Sequence, residues 1–201
     1  QVIKNSAENF AEVSLELGGK SPIIVFDDAN IESAVNGAIA GIFAASGQSC
    51  VAGSRLYLHD DIADDFLARM LNIARGIVIG DPQDDATEMG PLCTLGQIEH
   101  IERQVTLAIE EGGRLLCGGR RLARPGLFFE PTIIECPRQD MTIVDTELFG
   151  PVLAVQRFRT ESEVLALAND TKHGLAAGLF TRDGARQLRL AKALKSGMVW
   201  V

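Results

Sequence analysis

A cysteine in a loop of small residues is the side chain best placed for covalent chemistry. Cys50 lies in the run FAASGQSCVAGS, residues 43–54, between a helix-like stretch and a strand-like one. Small neighbours leave room for a substrate, and backbone N–H groups in a turn can stabilise both a thiolate and a developing oxyanion. The pattern therefore makes Cys50 a candidate nucleophile.

The same loop contains a serine that could compete for this role. The run GQSCV nearly matches the G-x-S-x-G turn of serine hydrolases, but Val51 replaces the closing glycine. A serine hydrolase would also need a histidine base. The available histidines all have the polar neighbours typical of a surface, and they are His59, His100 and His173.

A glutamate near the start of the chain is the second candidate for chemistry. Glu16 lies in LELGGKSP, residues 15–22, within a run that alternates like a strand. The GKS triplet resembles a P-loop, but that motif needs a glycine where Ser14 stands, so the phosphate cradle is missing. What remains is a carboxylate just before two glycines that allow close backbone approach. The alternative is that Glu16 faces solvent, as most glutamates do.

A third loop combines a carboxylate with an aromatic ring. Glu147 and Phe149 precede a Gly-Pro turn at Gly150 and Pro151. A glutamate can bind ribose hydroxyls, and a phenylalanine can pack on a nicotinamide or adenine ring. The structural alternative is a capped turn with one aromatic residue in the core.

Cysteine spacing argues against a metal centre. The four cysteines form no C-x-x-C pair, and no histidine lies at ligand spacing from them, so we expect no metal site. Scattered cysteines indicate free thiols in a reducing compartment, which favours the cytoplasm. We expect three of them to be small buried hydrophobic residues, namely Cys93, Cys117 and Cys136.

Composition limits the partners of the chain. It has 201 residues, 46% of them hydrophobic, and a formal net charge of −8. A negative chain lacks the clustered Lys and Arg that nucleic acids and anionic membranes require, so we expect neither partner. No apolar run reaches the roughly 18 residues of a transmembrane helix. The chain starts without Met and stops on a strand-like run, so we expect a piece of a longer protein.

Hydrophobic periodicity alternates between about 2 and 3.6 residues along the chain. Strand-like runs are 13–17, 23–26, 55–58, 115–117, 132–134, 152–155, 179–180 and 198–201. Helical patterns cover about 31–45, 62–74, 95–111, 161–169 and 183–194, and Asp60 or Asp61 can cap the second of these helices. Alternating strands and helices predict one α/β domain over residues 1–201, a three-layer αβα fold with a mainly parallel sheet. We expect its site beyond the carboxyl ends of the strands.

Taken together, these loops resemble the aldehyde dehydrogenase superfamily. Residues 15–22 and 43–54 are similar to its glutamate and cysteine signatures, and residues 147–151 follow in the family's order. Three further stretches also fit the family, and they are GPL at 90–92, FEPT at 129–132 and NDTKHGL at 169–175. The resemblance covers essentially the whole chain.

The resemblance implies NAD(P)-dependent oxidation of an aldehyde to a carboxylic acid. Cys50 would attack the aldehyde to give a thiohemiacetal, and hydride loss would leave a thioester. Its backbone N–H would help to hold the oxyanion. Glu16 would act as the general base that activates water to hydrolyse the thioester.

The resemblance also assigns residues around this pair, toward NAD or NADP and toward the aldehyde. The cofactor-binding residues would be Glu147 at the nicotinamide ribose, Phe149 beside the ring, and Leu17 and Gly18 at the border of its pocket. The substrate pocket would be lined by Phe43, Ser49 and Val51.

The family pattern extends beyond this sequence. The dinucleotide-binding domain and the Asn that completes the oxyanion hole would lie upstream, so the chain is expected to be an excised catalytic domain with little turnover alone. The parent protein would be a homodimer or homotetramer. Two alternatives stay open, a CoA-acylating relative, in which the glutamate base is commonly absent, and a non-catalytic fragment or scaffold of the same fold.

Overall fold

The computed structural model describes all residues from 1 to 201, and a seven-stranded sheet forms its centre. The strands are β1 Pro22–Val25, β2 Arg55–His59, β3 Arg114–Cys117, β4 Thr132–Glu135, β5 Val152–Phe158, β6 Ala176–Phe180 and β7 Met198–Trp200. Their order is β3-β4-β5-β2-β1-β6-β7, and only the β3–β4 pair is antiparallel. The predicted mainly parallel sheet is confirmed.

Seven α-helices accompany the sheet. They are α1 Val2–Ser6, α2 Ile31–Phe43, α3 Asp60–Gly76, α4 Leu95–Glu110, α5 Thr142–Asp145, α6 Glu161–Asn169 and α7 Gly184–Ala193. The helices α1 and α5 were not expected, because four or five residues are too few to show a helical period. None of the helices has both the length and the apolar composition needed to cross a membrane.

Side-chain caps begin most of the long helices. Asn30, Thr94, Thr160 and Asp183 each accept a hydrogen bond from a backbone N–H in the first turn, which contributes about 1 kcal/mol per helix. The prediction that Asp60 or Asp61 caps α3 is wrong. The cap is His59, whose Nδ1 accepts from the Asp61 N–H at 3.4 Å, because the strand continues one residue further than its apolar run.

Side chains along each strand point alternately to the two faces of the sheet, and a layer of helices covers each face. Ile23, Val25 and Leu56 point to one face of the sheet, where α2 and α3 cover them. On the other face, Ile24 packs with residues of α6 and α7, and Ile134 packs with residues of α4 and α5. This is the predicted three-layer αβα arrangement.

The strand predicted over residues 13–17 is wrong. Residues 11–21 form no helix or strand, and Leu17 is 63% exposed. Alternating apolar residues form a strand only where a neighbouring strand accepts their backbone hydrogen bonds, and none is available to this segment within residues 1–201.

The loops that carry the candidate residues lie at the amino edge of the sheet. Residues 15–21 lead into β1, residues 47–54 into β2 and residues 147–151 into β5. The expected position beyond the carboxyl ends is therefore wrong. Because β5, β2 and β1 are adjacent and parallel, the segments before them emerge side by side.

Candidate active site

A cleft of about 410 Å³ opens where these three loops meet. Its lining includes both predicted catalytic residues, Cys50 and Glu16. It also includes the four residues predicted to bind the cofactor, which are Leu17, Gly18, Glu147 and Phe149. The rest of the lining is Gln97, His100 and Leu148. The sheet thus gathers residues that are up to 133 positions apart in sequence, counted from Glu16 to Phe149, into one cleft.

Two glycines allow the three loops to approach one another. The Gly19 N–H donates a hydrogen bond to Oε1 of Glu147 at 3.0 Å. A Cβ at Gly18 would lie 2.0 Å from the Glu147 carboxylate, and one at Gly19 would lie 2.4 Å from the Cys50 carbonyl oxygen. A larger residue at Gly19 would push the loop before β1 away from the Cys50 backbone, whereas one at Gly18 would displace the Glu147 carboxylate. Gly19 is therefore needed for the close approach of the loops.

The loop before Cys50 has an unusual backbone. Ala45, Ser46 and Gly47 follow one another with φ of 49°, 56° and 69°. The left-handed region costs a non-glycine residue roughly 1–2 kcal/mol, so surrounding contacts must hold it. One such contact is the Ser46 hydroxyl, which donates to the Gly90 carbonyl at 2.8 Å. Another is Gly47, which packs directly against the Gly150 carbonyl.

We expect Gly47→Ala to lower the stability of the protein by about 3 kcal/mol or more, because overpacking and a left-handed φ act together. The new Cβ would lie 2.1 Å from the Gly150 oxygen. Gly76→Ala is the matched control, since a Cβ there meets nothing within 4 Å and the site is helical. Thermal unfolding gives the melting temperatures of both variants and of the wild type. Equal melting temperatures would contradict the proposed packing of the cysteine loop.

Two glutamines that the sequence did not single out fasten these loops. Gln48 Oε1 accepts from the Cys93 N–H at 2.9 Å, which ties the cysteine loop to the start of α4. Gln97, in the first turn of α4, donates through Nε2 to the Leu148 and Phe149 carbonyls. A polar residue on an amphipathic helix normally faces solvent, so only the position of α4 reveals this role.

The aromatic residue of the third loop, Phe149, is exposed rather than buried. Phe149 has a φ of 51° and is 40% exposed. Its backbone is held by Gln97, and its ring borders the cleft. The alternative in which Phe149 is a core aromatic is therefore wrong.

The structure does not bring all the predicted residues to the cleft. Phe43, predicted to line the substrate pocket, is buried in the core beneath α2 because the helix turns it toward the sheet. Val51 lines a separate apolar cavity of about 240 Å³ beside β6. Ser49 is half-buried in the turn next to Cys50. Glu16 lines the cleft but is exposed within residues 1–201, as in the alternative in which it faces solvent.

The four cysteines are free but differ in environment. Cys136 is buried, and desolvation raises the pKa of its thiol to about 12. Desolvation also raises the pKa of the half-buried Cys117. Cys93 is exposed, so the prediction that it is a buried hydrophobic residue is wrong. It precedes the cap of α4, where its backbone rather than its side chain is held.

These environments predict the order of thiol alkylation. We expect Cys50 and Cys93 to react first at neutral pH, Cys117 later and Cys136 last, because the thiolate is the nucleophile. Peptide mapping after limited treatment with iodoacetamide measures the order. Early labelling of Cys136 or Cys117 would contradict it.

One group of possible metal ligands lies away from the cleft. Asp27, His59 and Asp61 have ligand atoms within 4.8 Å of one another at the carboxyl ends of β1 and β2. His59 already accepts a backbone hydrogen bond as the cap of α3. The cleft itself contains no such group.

Comparison with known proteins identifies the family. The model of the aldehyde dehydrogenase family matches residues 1–201. The chain belongs to the aldehyde dehydrogenase family. The predicted resemblance is thereby confirmed, and the α/β fold with it.

Individual members of the aldehyde dehydrogenase family match along the whole chain. A (Z)-2-((N-methylformamido)methylene)-5-hydroxybutyrolactone dehydrogenase from Acinetobacter baylyi is 50% identical over 201 residues, all of this chain and 41% of its own length. A betaine aldehyde dehydrogenase from Cereibacter sphaeroides is 45% identical, and the match covers 42% of it. The chain thus spans about two-fifths of the relatives it matches.

Solved structures with the same fold also match this chain. A betaine aldehyde dehydrogenase from Staphylococcus aureus in complex with NAD⁺ superposes with a TM-score of 0.94 at 42% identity, covering 99% of this chain and 40% of that one. PnpE in complex with nicotinamide adenine dinucleotide gives a TM-score of 0.95 at 45% identity, with coverage of 99% and 42%.

Proposed function

We propose that the protein carrying this chain oxidises an aldehyde to a carboxylic acid with a nicotinamide cofactor. The observation that carries the proposal is the shared cleft. A cysteine, a glutamate, a second carboxylate and an exposed aromatic ring converge there from three separate loops. Family membership supplies the reaction class, and the cleft supplies the residues.

Cys50 is the proposed nucleophile. Its sulfur would bond to the aldehyde carbon while the carbonyl oxygen, now an alkoxide, would be held by the Cys50 backbone N–H. Loss of hydride from that carbon would leave a thioester. The Ser46 hydrogen bond to Gly90 and the packing of Gly47 on Gly150 hold the loop before Cys50, which would position the sulfur before substrate binds.

Glu16 is the proposed general base. It shares the cleft with Cys50, and an exposed carboxylate at its mouth can accept a proton from an incoming water. The hydroxide so formed would attack the thioester carbon, release the acid and restore the Cys50 thiol. The presence of Glu16 in the cleft favours hydrolysis over transfer to CoA.

The residues at the other wall of the cleft fit the nicotinamide end of a dinucleotide. Bound there, the cofactor would supply the hydride acceptor. Glu147 is fixed by the Gly19 N–H at a position from which it can accept from ribose hydroxyls, and the displayed Phe149 ring can pack on the nicotinamide. Gly18 and Leu17 would form the border of that pocket. We propose NAD ahead of NADP because solved relatives hold NAD⁺.

For the whole protein we propose a substrate class, an oligomeric state and a cellular compartment. The relatives include betaine aldehyde dehydrogenases and a hydroxybutyrolactone dehydrogenase, which supports a small aldehyde without choosing one. Val51 and Ser49 flank the nucleophile and are the proposed substrate-side residues. Four free cysteines support a reducing compartment such as the cytoplasm, and we propose a homodimer or homotetramer for the whole protein.

The chain is proposed to be the thiol-bearing catalytic domain of a longer protein, whose remaining part binds most of the cofactor. We expect negligible NAD-dependent oxidation by residues 1–201 and robust oxidation by the longer protein. Production of NADH from a panel of aldehydes, including betaine aldehyde, measures both. Full turnover by residues 1–201 alone would contradict the division, and no turnover by the longer protein would contradict the function. Cys50→Ser in the longer protein is the negative control and gives the background production of NADH.

A further inference from the structure

Three buried polar atoms without hydrogen-bond partners belong to residues that line one small pocket. Lys20 Nζ, Ser21 Oγ and His173 Nε2 are buried and make no hydrogen bond, and the three residues line the same pocket of about 10 Å³. Lys20 is 1% exposed and Ser21 is 3% exposed. Buried polar atoms are normally hydrogen-bonded, so three of them around one pocket provide a set of donors for a small ligand. The volume is about that of one atom-sized ligand.

The surroundings carry buried positive charge without a matching negative one. Arg55, also 1% exposed, lines the cavity beside Lys20. Its guanidinium donates only to neutral acceptors, which are the Lys20, Leu167 and Ala168 carbonyls and the Tyr57 hydroxyl. Two buried cations with no carboxylate in contact are costly unless something neutralises them.

The nearest carboxylates are engaged elsewhere. Glu147 accepts from the Gly19 N–H, and Asp145 accepts from the Thr171 hydroxyl at 2.7 Å and pairs with Lys172. Burial, followed by the charge of Arg55, lowers the pKa of Lys20 to about 7. Among residues 1–201, the Glu147 and Asp145 carboxylates therefore act on the ammonium only through their charge, without direct contact.

We propose that this cavity binds a small monovalent anion such as chloride, held by Lys20 Nζ, Ser21 Oγ and the Nε2–H of His173. All three atoms can donate a hydrogen bond, and the anion neutralises one of the two buried cations. A water molecule would fill the space but leave both charges. Since Gly18 and Gly19 precede Lys20 directly and contact Glu147 and Cys50, the anion fixes the base of the cleft.

Bromide, a heavier anion with an anomalous X-ray signal, tests the site directly. In crystals of the protein grown with sodium bromide, we expect an anomalous peak within contact of Lys20, Ser21 and His173. The peak should vanish in Lys20→Met and persist in Lys192→Met, which removes the same charge from an exposed position. Density without anomalous signal, or a protein side chain seated in the cavity, would overturn the proposal.

Thermal unfolding gives a second readout that does not need crystals. At constant ionic strength, replacing gluconate by 200 mM chloride should raise the melting temperature of the wild-type protein and of Lys192→Met by about 3 °C or more, because the anion binds only the folded state. Ser21→Ala should show a smaller rise and Lys20→Met none. An equal rise in Lys20→Met, or no rise in the wild type, would overturn the site. If Lys20→Met does not fold, Ser21→Ala and His173→Gln replace it. A smaller chloride-dependent rise in their melting temperatures than in the wild type supports the site, and an equal rise overturns it.

Discussion

Replacing Cys50 with serine is expected to lower kcat for aldehyde oxidation by about 10⁴-fold or more in the longer protein that we propose carries this chain. A serine hydroxyl is almost fully protonated at neutral pH and has no placed base in this loop, whereas a thiol ionises far more readily. Steady-state production of NADH measures the loss. The fold should be unchanged, because oxygen replaces sulfur in a half-buried position.

Cys93→Ser is the matched control for this substitution. Cys93 is exposed and enters the hydrogen-bond network only through its backbone N–H, so its variant should keep at least about half of the wild-type kcat. If Cys93→Ser were the inactive variant and Cys50→Ser retained activity, the assignment of the nucleophile would be wrong.

Replacing Glu16 with glutamine is expected to separate the two halves of the reaction. Glutamine keeps the shape of the side chain but cannot take a proton from water, so kcat should fall by about 10²–10⁴-fold. Formation of the thioester does not need this base. Rapid mixing should therefore show a burst of about one NADH per active site, followed by slow turnover.

Glu12→Gln serves as the control for charge, because Glu12 is exposed in the same segment and lies outside the cleft. It should behave as the wild type does. Loss of the burst in Glu16→Gln, with the same fall in the first turnover as in later ones, would mean that Glu16 acts before the thioester and that its proposed role is wrong.

Much of the fold follows from sequence patterns that are local. The αβα layers, the helix over residues 161–169 and the cap at Asn30 depend on periodicity and on capping chemistry within a few residues. The residues 13–17 show the limit of this approach. Their alternation is that of a strand, but strand formation depends on a partner elsewhere in the chain.

The sequence predicted six of the residues that line the cleft, but not the edge of the sheet at which the cleft lies. Strand order is a long-range property, and β5 lies beside β2 although about a hundred residues separate them. Only that adjacency shows that the segments before the strands, rather than after them, form the cleft. Gln97 and Phe43 illustrate the same point, since a helical period cannot tell which neighbour a polar or apolar side chain will meet.

The most direct test of the proposed chemistry is to locate the acyl group. The longer protein with Glu16→Gln would be mixed with an aldehyde and NAD⁺, quenched in acid during the burst, digested and examined by mass spectrometry. We predict one acyl adduct per chain, on the peptide that contains Cys50, formed only when NAD⁺ is present. An adduct on Ser49 or on Cys93, or one that forms equally well without NAD⁺, would contradict the assignment of Cys50 as the nucleophile of an aldehyde oxidation.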